Sequence, residues 1–164
     1  MRIAGLVQDS IVDGPGLRFS VFAQGCRSGC DGCHNPDTWD LNGGTEMPVD
    51  DIISEMLKNP LTDGLTITGG EPFLQAEECA KLAAAARERG LNVWVFSGFT
   101  FGELLAKAKL EPPVKTLLEL TNVLVDGPFV IAERTLMLKW RGSRNQRLLD
   151  MPNSLASGEA VGIE

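Results

Sequence analysis

The sequence has no long run of apolar residues, and this absence excludes a membrane-spanning helix. Such a helix needs about 18 consecutive apolar residues, and no segment of the 164 residues approaches that length. The first ten residues are too polar, and their apolar stretch too short, to form a secretory signal. We therefore expect a cytoplasmic protein that does not have a membrane as its partner.

Positive charge and cysteine are also scarce. The chain carries 22 acidic and 15 basic residues, for a formal net charge of −7, which disfavours nucleic acid as a partner. Four cysteines are too few for a disulfide framework in a chain of this length. Because 43% of the residues are hydrophobic, the chain can form a sizeable core. We predict a single domain over residues 1–164.

Three of the four cysteines lie in one short loop. Cys26, Cys30 and Cys33 have the spacing C-x3-C-x2-C, and the only histidine, His34, follows them directly. Several glycines in this loop let the backbone wrap tightly, so the three thiolates can converge on one metal centre. A closed iron–sulfur cubane takes four cysteines. Three would leave one iron open, and an open metal position is usually reactive.

Other interpretations of this loop stay open. A disulfide framework is disfavoured by the expected reducing compartment. A zinc site has suitable donors, but the adjacent Cys33 and His34 could hardly both bind one ion in good geometry. The segment from Cys30 to His34 also has the C-x-x-C-H form of covalent haem attachment. That attachment would require export and would leave Cys26 without a role, so we favour a three-cysteine iron–sulfur cluster.

Strand and helix patterns alternate along the chain. Strands are predicted at 17–23, 65–68, 93–97 and 123–125, with amphipathic helices between them. This alternation favours parallel βαβ units, and 164 residues are too few for an eight-fold barrel of about 250. We predict an α/β fold, a partial (βα) barrel of about five to six parallel strands with outer helices. Residues 151–164 show no period and are predicted to be a loose C-terminal tail, with a strap across the barrel as the alternative.

A Gly-Gly-Glu-Pro motif at 69–72 comes directly after a predicted strand. Its two glycines allow a ligand to approach the main-chain N–H and C=O groups. In parallel α/β folds the chemistry lies at the carboxyl ends of the strands, so we expect this motif and the cysteine loop to share one rim. An exposed main-chain edge beside an open iron suits the amino group of a chelating amino acid.

Together these motifs resemble those of the radical S-adenosylmethionine (SAM) superfamily. The segments Asp13-Gly14-Pro15-Gly16 and Cys33-His34-Asn35-Pro36 are similar to those of its glycyl-radical activating enzymes. The segments LVDGPF at 124–129 and RGSRNQR at 141–147 narrow the resemblance to activating proteins of anaerobic ribonucleotide reductases. The resemblance covers nearly the whole chain up to Asp150 and implies a partial barrel of the radical SAM type.

The resemblance also implies a ligand set and a SAM site. The three loop cysteines match the ligands of a [4Fe–4S] cluster. The residues that match SAM-binding positions flank the last cysteine or follow later strands: Gly32, Cys33, His34, Gly69, Gly70, Glu71, Ser97 and Asp126. Many superfamily members have an aromatic or large apolar residue where this chain has Gly32. We predict that Cys79 is a buried helix residue and not a fourth ligand.

The implied activity is that of a radical SAM oxidoreductase, an activase that cleaves SAM reductively and generates a glycyl radical on an anaerobic ribonucleotide reductase. The implied partners are a large class III ribonucleoside-triphosphate reductase and a low-potential donor such as flavodoxin or ferredoxin. Two alternatives stay open: a radical SAM enzyme acting on a small molecule, as in deazaguanine synthesis, and a non-catalytic iron–sulfur electron carrier.

A basic run from 139 to 147 stands out in this acidic chain. Arginine suits the recognition of carboxylates and main-chain carbonyls on another protein. The run also coincides with one of the family-like segments. We therefore predict that the partner protein is contacted by a set of five residues: Asp13, Gly14, Arg141, Arg144 and Arg147.

Overall fold

The fold is known from a computed structural model in which residues 1–26 and 36–163 are described. The strands of these residues are β1 (Arg2–Ser10), β2 (Arg18–Ala23), β3 (Thr45–Glu46), β4 (Gly64–Gly69), β5 (Asn92–Phe96), β6 (Val123–Asp126) and β7 (Arg147–Asp150). The α-helices are α1 (Val49–Met56), α2 (Ala76–Glu88), α3 (Phe101–Leu110), α4 (Pro112–Leu120) and α5 (Met151–Ser157). The strands form one sheet in the order β3-β1-β2-β4-β5-β6-β7.

The four central strands run parallel. β2 pairs with β4, β4 with β5, and β5 with β6 in parallel register, which agrees with the predicted α/β class. The expected number of five to six parallel strands is wrong for the described residues, where β1, β3 and β7 all pair antiparallel. The reason lies in the connections. A parallel neighbour needs a crossover, usually a helix, and no described α-helix separates β1 from β2 or β6 from β7.

Local signals in the sequence explain where the helices begin and end. α3 begins at a capping box, in which Thr100 Oγ1 accepts from Glu103 N at 3.2 Å and Glu103 Oε1 accepts from Thr100 N at 3.1 Å. α2 ends just before Gly90, which has the left-handed φ of 75°. None of the helices in the described part is long and apolar enough to cross a membrane.

The two faces of the sheet differ in polarity because successive side chains of a strand point to opposite sides. One face packs with the helices in the main apolar core and includes Phe19, Val21, Leu65, Ile67, Val93, Val95, Leu124 and Leu149. The other face, which we call the polar face, carries the buried side chains of Arg18, Ser20 and Thr66. It continues into a small apolar cluster around Trp94, on which Trp140 packs.

The segment after β7 differs from the predicted loose tail, and that prediction is wrong for the described residues. Asp150 caps α5 by accepting from Asn153 N at 3.1 Å, and Met151 and Ser154 are fully buried. The last residues then pair with β7, since Ile163 N donates to Leu148 O at 3.1 Å. The segment is ordered by the edge of the sheet and by Met151 and Leu155, which pack in the main apolar core.

Candidate active site

The carboxyl ends of the four parallel strands meet at one rim. The turn after β4 touches the start of the cysteine loop directly, because Glu71 N donates to Gly25 O at 2.7 Å and Gly70 N to Ala23 O at 2.8 Å. A Cβ atom at Gly70 would lie 2.4 Å from Gly25 O, so only glycine fits this approach. The sequence-predicted meeting of the Gly-Gly-Glu-Pro motif with the cysteine loop is thus present at the described base of that loop.

The two ends of the cysteine loop are fixed to each other. Gly25 N donates to Thr38 O at 2.6 Å and Cys26 N to Trp39 O at 3.1 Å. Gln24 is buried, and its Nε2 donates to the carbonyls of Asp37 and Asp40 at 3.0 and 2.8 Å. Sequence reasoning missed Gln24, for which the only signal is a polar side chain placed directly after a strand.

Cys26 is a free, half-buried thiol at this base of the loop. The other two predicted ligands, Cys30 and Cys33, lie outside the described residues, as do Gly32 and His34. The complete ligand set therefore stays a prediction. Elsewhere in the described chain, no group of three or more histidine, cysteine, aspartate and glutamate residues could hold a metal ion.

Cys79 lies in α2 and is completely buried. Its Sγ is 3.5 Å from Pro72 O, and burial raises the pKa of the thiol. A buried thiol of raised pKa resists the deprotonation that metal binding requires. The prediction that Cys79 is a buried helix residue is confirmed.

Glu71 connects the turns that follow β4 and β5. Its carboxylate is only 2% exposed and accepts from Ser97 Oγ at 2.9 and 3.0 Å, from Gly98 N at 2.8 Å and from Phe73 N at 3.1 Å. Burial raises the pKa of Glu71 to about 7, against the opposing effect of these hydrogen bonds. Two residues predicted separately, Glu71 and Ser97, are therefore partners in one buried hydrogen-bond network.

Asp126 connects the turns that follow β5 and β6 in a different way. Its carboxylate is 1% exposed and accepts from Phe101 N at 2.8 Å, at the start of α3. Arg147 Nε donates to Asp126 Oδ1 at 3.0 Å, and the Nη2 atom donates to Oδ2. The hydrogen bonds to Asp126 raise the pKa of Arg147. The structure thus joins a predicted SAM-site residue to a predicted partner-binding residue.

Asp13 and Gly14 lie at the opposite end of the strands from this rim. Asp13 Oδ2 accepts from Ser20 Oγ at 2.7 Å, on the polar face near the start of β2. A Cβ atom at Gly14 would lie 2.7 Å from the Arg18 side chain. A strand the length of β2 spans roughly 17–20 Å, so the predicted partner-binding residues lie at both ends of the polar face.

Arg18 is a second residue that sequence reasoning missed. It is fully buried, donates from Nε to Thr66 Oγ1 at 2.7 Å, and lies 5.6 Å from the centre of the Trp94 ring. Burial lowers its pKa to about 10, although Asp13 and Asp63 oppose the shift. The available signal was the alternation of Arg18 and Ser20 with apolar neighbours in β2.

Comparison with known proteins shows to which protein family this sheet and its cysteine loop belong. The sequence matches the family of 4Fe-4S single cluster domains over residues 12–149. The parallel sheet with a cysteine at its rim is thus that of an iron–sulfur protein family, and the match supports an iron–sulfur cofactor.

Three relatives indicate which kind of iron–sulfur protein this sequence is similar to. An anaerobic ribonucleoside-triphosphate reductase-activating protein of Escherichia coli K12 is 36% identical over 146 residues, which are 83% of this chain and 90% of that protein. Its namesake in Vibrio cholerae is 34% identical over 144 residues, 83% of this chain and 89% of that protein. A pyruvate formate-lyase-activating enzyme of Clostridium pasteurianum is 35% identical over 135 residues, 77% of this chain and 55% of that enzyme.

The chain belongs to the family of anaerobic ribonucleoside-triphosphate reductase-activating proteins. All three relatives are named as activators of another enzyme. This finding favours the activating-enzyme interpretation over a small-molecule enzyme or an electron carrier.

Proposed function

We propose that this protein is a radical SAM activating enzyme that generates a glycyl radical on a class III ribonucleoside-triphosphate reductase. The observation that carries the proposal is the 2.7 Å hydrogen bond from Glu71 N to Gly25 O. It holds the glycine motif against the first residues of the cysteine loop, where a ligand could reach both. The names of the relatives indicate the kind of partner, namely an enzyme that the protein activates.

The residues at the rim fit the cofactors. Cys26, Cys30 and Cys33 would hold a [4Fe–4S] cluster with one open iron, and main-chain groups of Gly69 and Gly70 would bind the methionine part of SAM. A reduced cluster held by these cysteines would supply one electron for the cleavage of bound SAM into methionine and a 5′-deoxyadenosyl radical, and that radical would take a hydrogen atom from a glycine Cα of the partner.

The remaining rim residues would orient SAM and shape its pocket. Ser97 and Asp126 follow β5 and β6, and Gly32 and His34 flank the last cysteine. Glu71 holds the Ser97 turn against the glycine motif, and Asp126, which is paired with Arg147, holds the turn after β6 against the start of α3. This buried support keeps the pocket wall in one conformation, which is what a site that must exclude water requires.

The wider proposal concerns the domain and its partners. The sheet would be the partial barrel of the radical SAM type, one domain over residues 1–164, with the polar face as its interior. A loop of the reductase would enter this interior past Asp13, Gly14, Arg141, Arg144 and Arg147. A cytoplasmic low-potential protein such as flavodoxin or ferredoxin would donate the electron.

The test compares two cysteine variants under anaerobic conditions. Cys26→Ala should lose the cluster, and with it the formation of 5′-deoxyadenosine and of a glycyl radical on the reductase. Cys79→Ala, the matched control, should keep iron content and activity because Cys79 lies in the helix core. Iron and sulfide analysis, product chromatography and EPR measure the three outcomes. Loss of the cluster in folded Cys79→Ala, or SAM cleavage by folded Cys26→Ala, would contradict the proposal.

A further inference from the structure

The segment between β6 and β7 forms a hairpin. Its two arms pair through Thr135 N, which donates to Gly142 O at 3.0 Å, and Arg144 N, which donates to Glu133 O at 2.9 Å. Residues 136–141 form the end of this hairpin, and we call them the tip. The tip therefore projects from a paired stem and has a defined position relative to the sheet.

The stem is anchored to the active-site rim by two amide side chains. Gln146 Oε1 accepts from Gly142 N at 2.9 Å and from Ser143 N at 3.1 Å, and its Nε2 donates to Gly127 O at 3.2 Å. Asn145 Nδ2 donates to Pro128 O at 2.8 Å. Part of the RGSRNQR segment, predicted to bind the partner, thus holds the hairpin to the turn after β6.

The tip presents its apolar side chains in two directions. Trp140, which has the unusual φ of 60°, turns back so that its ring meets Trp94 edge-on at 5.0 Å. Leu136 and Met137 point away from the core and are 86% and 91% exposed. A groove of about 400 Å³ runs between the tip and the side chains of Leu148 and Ile163. The tip therefore borders open solvent on one side and the apolar cluster around Trp94 on the other.

Along the chain, the charges from residue 134 to residue 149 are all positive. Five basic residues occur from Arg134 to Arg147, and no acidic residue lies between Glu133 and Asp150. Lys139 and Arg144 are exposed, in a chain whose formal net charge is −7. A cationic patch on an acidic protein attracts an acidic surface and speeds its association.

We infer that the tip is a docking site for an acidic segment of the protein substrate that carries apolar side chains. Leu136 and Met137 would be the apolar anchors, with Lys139 and Arg144 as the charged margin. Apolar anchors inside a charged margin are the usual anatomy of a binding hot spot. The Trp140–Trp94 contact places a segment docked here beside the polar face. The inference rests on the proposed function, because the substrate is the radical-accepting reductase.

The test measures binding and chemistry separately, with the full-length anaerobic ribonucleoside-triphosphate reductase as the probe. The tip variant is Leu136→Asp combined with Met137→Asp, and the matched control is Leu110→Asp, which alters an equally exposed leucine (85%) at the end of α3. Calorimetry gives the affinity at low and moderate salt, and chromatography gives 5′-deoxyadenosine formed without the reductase. Near-ultraviolet circular dichroism checks that each variant is folded.

The tip variant should bind the reductase at least about tenfold more weakly, as expected for loss of hot-spot anchors. Its SAM cleavage without the reductase should stay within about twofold of wild type, because the rim lies outside the tip. The control should match wild type in both. Lys139→Glu combined with Arg144→Glu should slow association most at low salt.

Several outcomes overturn the inference. Unchanged affinity of the tip variant overturns it, as does an equal loss of affinity in the Leu110→Asp control. A loss of reductase-independent SAM cleavage in the tip variant also overturns it. So does failure of the wild type to bind the reductase. A wild-type protein that holds its cluster and binds at the tip, but forms no 5′-deoxyadenosine, overturns the proposed function instead and leaves the docking site standing.

Discussion

Two buried carboxylates at the ends of β4 and β6, on either side of β5, are stabilised by different chemistry. Glu71 is surrounded by uncharged donors, namely one hydroxyl and two main-chain N–H groups. Asp126 has one main-chain donor and the guanidinium of Arg147. Both are almost completely buried. Equal burial therefore does not imply equal electrostatics, because the partners decide whether the charge is compensated.

The two corners of the rim are therefore expected to respond differently to pH and to the loss of a charged partner. The corner between β4 and β5, which borders the cysteine loop, depends on a carboxyl group with a pKa of about 7 and should respond to pH near neutrality. The corner between β6 and β7 is held by an ion pair and carries the hairpin stem. Three measurements test this difference, beginning with the largest expected effect.

Removing the cation should affect the Asp126 corner most. Arg147→Ala leaves a buried carboxylate with one main-chain donor, and we expect the free energy of unfolding to fall by about 2–4 kcal/mol. The lower part of this range applies if water replaces the guanidinium, whose side chain is 48% exposed. Urea denaturation at neutral pH measures the change. Arg134→Ala, an exposed control, should change stability by less than about 0.5 kcal/mol. An equal loss of stability in both variants would show that the ion pair with Asp126 does not stabilise this corner.

The Glu71 corner should depend on pH. Its pKa is raised from 4.5 to about 7, so between these values the folded protein holds a proton that the unfolded chain has released. Stability should therefore fall as pH rises through this window and level off above it, by roughly 1–3 kcal/mol in total. Urea denaturation between pH 5 and 8 should show this slope in wild type and in the exposed control Glu119→Gln, and lose it in Glu71→Gln. Parallel curves for all three proteins would refute the shift.

The smallest effect concerns a single donor to Glu71. Ser97→Ala removes the hydroxyl that reaches both carboxylate oxygens, and we expect a loss of about 1 kcal/mol at pH 8. The loss should be smaller at pH 5, where the carboxyl group is neutral and gains less from the hydrogen bond. Ser157→Ala, on the last turn of α5, is the control. A loss that does not change with pH would assign Ser97 a packing role only.

Much of the fold followed from local patterns. The alternation of apolar strands with amphipathic helices predicted the four parallel strands and the helices between them, and Thr100 and Glu103 marked the start of α3. β1 was missed, since Gly5, Gln8 and Asp9 interrupt its apolar pattern. It is stabilised by pairing with β2 and β3 and not by its own propensity. β7 escaped prediction for the same reason, since its pairing with β6 defines it.

The sequence by itself predicted the chemistry of the loop, and it determined that the glycine motif lies beside the base of that loop. Cysteine spacing and the two glycines act through local backbone geometry, and parallel strands bring successive carboxyl ends to one rim. Only the tertiary structure decided which polar groups pair across that rim. Glu71 meets Ser97 26 residues away, Asp126 meets Arg147 at a separation of 21, and Arg18 meets Thr66 at 48. Such contacts depend on strand order and register, which no local pattern of residues specifies.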